Sequence, residues 1–492
     1  MLWLMEFQPN LRHDSPIPLY RQLYEDIAGR IRSGELENGV RLPATRELAG
    51  LLGLNRTTVS AAYDLLETEG LISGQVGRGS FVTVQRTPPA GVDWAALLDS
   101  AAPPIFQGGS FDRNIVSFAT SRPARDLFPL DDFRASCADV MARPDLPDIL
   151  QLGSPSGYEP LRQHLLETAR RQGLAGAADD LIVTNGCQQA LDLIGRVLLR
   201  PGDAVAVEDP VYPGLKNLLA GMGVRLAGIP LSDDGFDVAQ LGRVIERERL
   251  RLLVVTPNFQ NPTGLTMPLA ARQSILEAAQ AAGVPIVEND AYGELRYWGD
   301  PVPAIKQLDS TGGTVLLRSF SKVSFPGLRV GWALGPQALI SRLQQAKEAS
   351  DLHTDQLSQA VLLEFAESGR LEAHRSRVLQ AGAERLRATL DACRLLPRGT
   401  RWTQPEGGMN VWVRLPDPVD AVDLLPRARE VGIAYLPGRY FAVSRLDRGA
   451  LRLSFAGPAP ELIRAGLATL GRLVAEELAV AARSREPVPA IV

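Results

Sequence analysis

Leu19, Leu23, Ile27 and Ile31 recur every fourth residue, which predicts one apolar stripe on a helix that stops at Gly34. Thr45 to Leu52 reads as a second, shorter helix with Leu48, Leu51 and Leu52 inward and Gly53 as its C-terminal stop. After the link Gly53-Leu54-Asn55, a third helix runs from Arg56 to Glu69. Its first turn is polar (Arg56, Thr57, Thr58, Ser60), while Val59, Tyr63 and Leu66 form a buried face. Leu71 to Ser73 and Ser80 to Thr83 read as two short strands around the glycine-rich tip Gly74-Gln75-Val76-Gly77-Arg78-Gly79. Three helices and a hairpin form the layout of a winged helix-turn-helix, in which the last helix offers its N-terminal side chains to a major groove.

From about residue 115 the pattern changes. Short apolar runs (Leu181-Ile182-Val183, Ala204 to Val207, Leu252 to Val255, Pro285 to Val287, Val315 to Leu317) alternate with longer helical stretches. Nearly continuous apolar strands between helices predict a mostly parallel sheet covered on both faces. Functional residues of such sheets gather on loops at the strands' C-terminal ends. Between the two patterns lie Thr87-Pro88-Pro89, Pro103-Pro104 and Gly108-Gly109, the composition of an extended, semi-flexible tether. The expected division is a DNA-binding head over 14–85, a linker over 86–114 and a body over 115–480.

Length and composition refine this picture. At 492 residues, 45% hydrophobic and 22% charged, the chain is long enough for about three soluble domains with large cores. Cys137, Cys187 and Cys393 lack disulfide or metal spacing, so no metal site is expected and a reducing cytoplasm is. No stretch reaches the length of a membrane span. The net charge of −4 exerts no bulk pull on nucleic acid, and residues 1–86 hold nine Arg against ten Asp and Glu. A DNA-binding face must therefore come from placement. Only four lysines (Lys216, Lys306, Lys322, Lys347) stand against 48 arginines, so a lysine inside a motif is not there by abundance.

Lys322 lies five residues past Leu317, in Ser319-Phe320-Ser321-Lys322. A lysine amine condenses with an aldehyde cofactor and yields it to a competing amine. Asp290 and Tyr292, two apart on an expected extended segment, face one side. A carboxylate at Asp290 suits a protonated pyridine nitrogen, and Tyr292 and Asn261 suit the ring's phenolate oxygen. Asn185-Gly186-Cys187-Gln188 is a strand-to-helix turn whose free N–H groups suit a phosphate. Tyr212, after Glu208-Asp209-Pro210-Val211, is placed to stack on a ring or to fill the core.

Leu42-Pro43-Ala44-Thr45-Arg46-Glu47-Leu48-Ala49 and Asn55-Arg56-Thr57-Thr58-Val59-Ser60 closely resemble the GntR-type winged helix. The resemblance implies that Arg46, Arg56, Thr57, Thr58, Gly77, Arg78 and Gly79 contact DNA. The body's motifs, in their order, resemble fold-type I aminotransferases dependent on pyridoxal phosphate (PLP). That implies an α/β fold with a large domain on a mostly parallel sheet and a small C-terminal α+β domain. Lys322 is then the Schiff-base lysine, Asp290 the pyridine-nitrogen partner and Tyr212 the stacking ring. Gly186, Cys187, Gln188, Ser319, Ser321 and Arg329 surround the phosphate. Arg452, in Leu451-Arg452-Leu453-Ser454-Phe455, grips an α-carboxylate by a bidentate fork. One departure is Leu152, where the family often has a tyrosine reaching the partner subunit's phosphate.

Head and body together resemble the MocR/GabR-like regulators. What this implies is a homodimer on a double-stranded operator, with an amine, an amino acid or PLP itself sensed through aldimine chemistry at Lys322. The rival is an active aminotransferase (amino-acid donor, 2-oxo-acid acceptor) with an accessory DNA-binding domain. Asn261-Pro262-Thr263-Gly264 is the pattern of working enzymes and favours it. A third reading, sensing of PLP supply alone, is disfavoured by Arg452.

Overall fold

The apolar stripe of the head folds as its spacing predicts. Helix α1 (Leu19–Ser33) buries Leu23, Ile27 and Ile31 against Val59, Tyr63 and Leu66 of helix α3 (Arg56–Thr68). Between them lies α2 (Thr45–Leu52); α1 and α2 end on Gly34 and Gly53, both left-handed (φ 84° and 66°), where glycine avoids the Cβ penalty. Asn55 caps α3 by accepting the Thr57 N–H at 3.2 Å. Strands β1 (Ile72–Gln75) and β2 (Gly79–Val82) form an antiparallel hairpin in which Ile72 faces Val82 and both join the core. Leu51 departs from expectation and is exposed. The face of this two-turn helix is set by Leu48, Ala49 and Leu52, and Leu51 projects roughly 100° from its centre.

The computed structural model describes residues 9, 11–12, 15–75, 79–83, 92–94, 115–232 and 235–483. Its contacts divide the chain into two units, 1–101 and 102–492. Gly77 and Arg78 at the wing tip, and most of the expected linker, lie outside the described residues.

The second unit is built on an eight-stranded sheet: β3 (Asp179–Thr184), β4 (Ala204–Asp209), β5 (Arg225–Ser232), β6 (Gly235–Phe236), β7 (Leu250–Val255), β8 (Ile286–Asn289), β9 (Thr314–Ser319) and β10 (Gly331–Pro336). Their spatial order is β3-β10-β9-β8-β7-β4-β5-β6. The block β9-β8-β7-β4-β5 is parallel, and β10 enters antiparallel between β9 and β3. Period-two alternation explains the unbroken apolar runs. Val205, Val207, Leu252 and Val254 pack with Leu193 and Ile194 of helix α4 (Cys187–Leu198). Ala204, Ala206, Leu253 and Val255 pack instead with Ile275 and Leu276 of helix α5 (Leu269–Ala282). Each strand buries both faces, so neither can be polar.

A smaller four-stranded antiparallel sheet follows: β11 (Arg401–Trp402), β12 (Asn410–Arg414), β13 (Leu436–Pro437) and β14 (Ala450–Ser454), in the order β11-β12-β14-β13. Val411, Val413, Leu451 and Leu453 pack there with Leu386 of the long helix Arg370–Cys393 and with Leu467 and Leu470 of the helix Pro460–Arg483. Among the described residues, no helix is long and apolar enough to cross a membrane, and no group of His, Cys, Asp or Glu is placed to hold a metal ion.

The turn before α4 is held from behind by a buried cation. Lys347, fully buried on helix α6 (Gln337–Asp351), donates to Asp351 at 2.7 and 2.9 Å and to Gln189 Oε1 at 3.1 Å. Asp351 in turn accepts from the Asn185 and Gln189 amides at 2.8 and 2.6 Å. Lys347→Met leaves Asp351 without its cation, although Asp351 keeps some solvent. We expect a loss of about 2–4 kcal/mol in the urea unfolding of the body; an unchanged midpoint would remove this network from the list of structural anchors.

Candidate cofactor and DNA-binding sites

The loops after the C-terminal ends of β3, β4, β7, β8 and β9 bring the sequence-predicted residues of the body together. Strand β9 runs on to Ser319, so Lys322 stands three residues past the strand, at the end of a short 3-10 turn. Its Nζ donates to the Ser121 carbonyl at 3.0 Å and lies 5.2 Å from the centre of the Tyr292 ring. The other lysines are spoken for: Lys306 pairs with Asp179, Lys347 with Asp351, and Lys216 donates to the Ala442 carbonyl. Among the described residues, Lys322 has no carboxylate partner. Burial, with help from nearby Arg452, lowers its pKa to about 8.

Asp290 and Tyr292 do share the site, but not by the predicted route. Strand β8 ends at Asn289, and Tyr292 sits in the following turn, where its carbonyl accepts the Leu295 N–H. Two-residue alternation does not hold across a turn, so the shared side comes from tertiary packing. Asp290 is buried, accepting from the Asn258 amide at 2.7 Å and from Arg318 Nε at 3.0 Å, with Arg318 Nη2 ion-paired to it at 2.9 Å. Asn258 is itself oriented by fully buried Arg272, whose Nη2 donates to Asn258 Oδ1 at 2.7 Å. Neither Asn258 nor Arg318 was singled out by sequence; Asn258 lies three residues before Asn261 on the same loop, a signal that could have found it.

Arg452 projects from β14 and is 5% exposed. It donates from Nη1 to Asn261 Oδ1 at 3.0 Å and from Nη2 to the Ala119 carbonyl, and its Nε is buried without a hydrogen-bond partner. Burial lowers its pKa to about 10. Through its other end, Asn261 Nδ2 reaches the Tyr292 hydroxyl at 3.4 Å. Arg452, Asn261 and Tyr292 thus form one line of donors and acceptors, close enough that Arg452 and Lys322 raise each other's electrostatic cost. With an unpartnered buried Nε and no carboxylate beside it among the described residues, Arg452 is suited to an anionic group.

The turn before α4 is the third component. Gly186 has φ 77°, and a Cβ there would fall 2.7 Å from Arg329 Nη2. Arg329 itself is held in the left-handed region (φ 58°) and reaches back to the Asn185 carbonyl at 3.1 Å and Ser321 Oγ at 3.4 Å. Such a backbone costs on the order of 1–3 kcal/mol outside glycine and persists where surrounding structure enforces it. Ser319 Oγ contacts Ser321 Oγ at 2.9 Å. The start of α4 (Cys187, Gln188), two hydroxyls and a guanidinium form a donor set suited to a phosphate. Burial pushes the Cys187 thiol up to about 12, so it stays uncharged.

Tyr212 precedes the helix Pro213–Gly221 and is 38% exposed, an aromatic face left uncovered at the site. Lysine amine, buried carboxylate, aromatic ring and a turn rich in donors together fit PLP. Leu152 is 72% exposed on the single chain.

In the head, charge placement resolves the unfavourable count of acids. Arg21 pairs with Glu25, Arg30 with Asp26 and Glu35, and Arg32 with Glu69. Arg46 on α2 and Arg56 at the start of α3 are exposed and form no ion pair among the described residues, and Thr57 is exposed beside Arg56. Gly79 (φ 107°) lies so close to Arg41 that a Cβ would meet Arg41 Nε at 3.0 Å. Arg41 was missed in the sequence because it lies outside the helices, on the segment that bridges to Phe81 of β2.

Comparison with known proteins agrees with both halves. Residues 123–470 match the aminotransferase class I and II family, and residues 19–82 match the gntR family of bacterial regulatory proteins. An aromatic-amino-acid aminotransferase of Thermococcus litoralis is 36% identical over 372 residues, 74% of this chain and 89% of that protein. The structure of LysN, the α-aminoadipate aminotransferase of Thermus thermophilus complexed with N-(5'-phosphopyridoxyl)-L-leucine, superposes with a TM-score of 0.70 at 36% identity. It covers 75% of this chain and 94% of its own. The probable rhizopine catabolism regulatory protein MocR of Rhizobium meliloti is 30% identical over 473 residues, spanning head and body alike, 94% of each chain. The cofactor of this fold is pyridoxal phosphate, and the chain belongs to the aminotransferase class I and II family, in the MocR-like group that carries a gntR-type head.

Proposed function

We propose that this protein is a transcriptional regulator that binds an operator through the head and senses an amine, an amino acid or PLP through Lys322. The observation that carries the reading is the pairing of two exposed arginines without ion pairs among the described residues, on the head's second and third helices, with a body whose motif lysine has no carboxylate partner and lies near buried Arg452. Bound PLP supplies an aldehyde carbon for amines and an electron-accepting ring. Lys322 is the residue to hold that carbon, with its amine desolvated and partly neutral near pH 8. Asp290 is to face the ring nitrogen, Asn261 and Tyr292 the ring oxygen, Tyr212 the ring face. Gly186, Cys187, Gln188, Ser319, Ser321 and Arg329 are to hold the phosphate. Arg452 is to take the carboxylate of an amino-acid effector. Arg46, Arg56, Thr57, Thr58 and the wing, with Gly77, Arg78 and Gly79, are to contact DNA, two heads being supplied by a homodimer.

A second reading, an aminotransferase with an accessory head, has one specific observation in its favour. Asn261, within Asn261-Pro262-Thr263-Gly264, is engaged by both Arg452 and Tyr292, so the carboxylate and ring-oxygen groups are linked as turnover requires. Sustained turnover with an amino donor and a 2-oxo acid, without preference for any DNA duplex, would favour it.

Lys322→Ala should abolish the yellow colour that PLP gives the wild-type protein. Uptake of PLP by the apoprotein should quicken from neutral pH and level off above roughly pH 9, because the neutral amine is the reactive form; an exposed lysine gains neutral amine through about pH 10.4. Stopped-flow absorbance over that range decides the matter, and an uptake rate still climbing at the alkaline end would contradict a lowered amine.

Arg56→Ala should weaken operator retention in a gel shift by about 1–3 kcal/mol and leave the PLP spectrum intact. Unaltered retention would take Arg56 out of the interface.

Arg452→Gln should weaken amino-acid effectors on the order of 2–5 kcal/mol while sparing amines that lack a carboxylate. Equal losses for both classes, measured by spectral titration, would leave Arg452 a structural residue only.

A further inference from the structure

Asp290 carries an unusual escort. Its Oδ2 accepts from Arg318 Nε and is ion-paired with Nη2, and its Oδ1 accepts from Asn258, so both oxygens are engaged by the protein. Arg318 is fixed from its other end by Gln172, whose Oε1 accepts from Nη1 at 3.0 Å. Burial opposes the guanidinium's charge, but Asp290 and Glu294 outweigh it and hold Arg318 cationic. The charged and titratable groups around Asp290 are Arg318 and Cys187, with Glu288, Glu294 and Arg272 further out. Of these only Arg318 touches the carboxylate. Asp290 therefore spends much of its negative charge on a protein cation before any ligand arrives.

We propose that Arg318 is a positioning residue that weakens Asp290's hold on a proton at the ring nitrogen of PLP, and so restrains turnover while leaving amine capture at Lys322 intact. The inference rests on the reading of Asp290 as the ring-nitrogen partner. A carboxylate stabilises a protonated neighbour through uncompensated charge and free lone pairs. Arg318 removes part of both, and the proton released from the nitrogen passes to solvent. Exchange of one amine for another at the aldehyde carbon does not draw electrons into the ring, whereas breaking a bond to the amino acid's α-carbon does. The same cofactor thus serves a sensor better than a catalyst. Substitution at Arg318 is tolerable on packing grounds, because a cavity of about 250 Å³ lined by Gln172, Asn258, Glu294, Arg318 and Arg375 adjoins it and admits water.

The test uses full-length protein reconstituted with PLP labelled with ¹⁵N in the ring, whose nitrogen shift reports the proton directly as pH is varied. In Arg318→Gln the midpoint should rise by about one pH unit over wild type. Arg318→Lys, which keeps a cation without the fork, should cancel most of that rise and return the midpoint toward wild type. Single-turnover conversion by an amino acid should quicken about tenfold in Arg318→Gln, the factor equivalent to one pH unit. An unchanged midpoint in Arg318→Gln overturns the proposal. Should that variant fail to fold, Gln172→Leu, which frees the far end of Arg318, has to move the midpoint upward too, and no movement overturns it as well. Asp290→Asn separates the two layers: if it lowers the midpoint while Arg318→Gln does nothing, only the role of Arg318 fails. If Asp290→Asn has no effect either, the reading of Asp290 falls with it.

Discussion

An amine without a counter-ion is the constraint on which the body depends. Lys322 is desolvated among cations, with Arg452 the strongest of them, and among the described residues only a backbone carbonyl accepts from it. Removing a charge from water without a partner costs free energy that must be met elsewhere or avoided by losing the proton. Here the second route is open, since the neutral amine is also the nucleophile. The sheet makes this affordable: strands buried on both faces place their loop ends rigidly, and the residues that crowd Lys322 come from loops far apart in sequence. Lys306 and Lys347 show the contrast, as each is more deeply buried and each has a carboxylate.

The same economy governs the opposite charge. Asp290 is buried, so it too needs compensation, and the protein supplies it from Asn258 and Arg318 before a ligand is present. Arg272, buried without a direct carboxylate partner, spends its donors on the carbonyls of Pro257, Met267 and Pro303 and on Asn258. It thereby fixes which way the Asn258 amide points. Among the described residues Arg318 is matched by Asp290, whereas Lys322, Arg329 and Arg452 have no carboxylate beside them; on the proposed reading their positive charge faces the ligand's phosphate and carboxylate.

Much of this was legible in the chain, for identifiable reasons. Apolar runs such as Ala204 to Val207 marked strands covered on both sides because alternate residues meet different helices. Gly34 and Gly53 marked helix ends because both need a left-handed backbone. Lys322, Gly186 and Arg452 sat in motifs and were brought to one site. What escaped notice depends on folding over distance. Arg318 reads as the polar end of an apolar strand, and its partner Asp290 lies 28 residues away. The partners of Arg452 are 191 and 333 residues distant, beyond any local pattern. The extended-segment argument for Tyr292 failed where the chain turned after Asn289, and Leu51 was misjudged because a two-turn helix has too few positions to define its face.

On the proposed reading, the head's own structure limits how a signal can reach DNA. Its core, from Leu23 to Val82, is closed by residues of the head alone, and α3 is capped by its own Asn55. A head whose core is formed by its own residues needs no ligand at Lys322 to fold, so on this reading the ligand does not act by folding or unfolding the reading helix. It must act on where the heads are held, and then only by the difference in its affinity for alternative arrangements. A single head offers a small interface, so selectivity is expected from two heads at a set spacing. Spacing is the quantity that a paired body can alter while each head stays intact, which makes operator geometry, and not the affinity of one head, the variable under control.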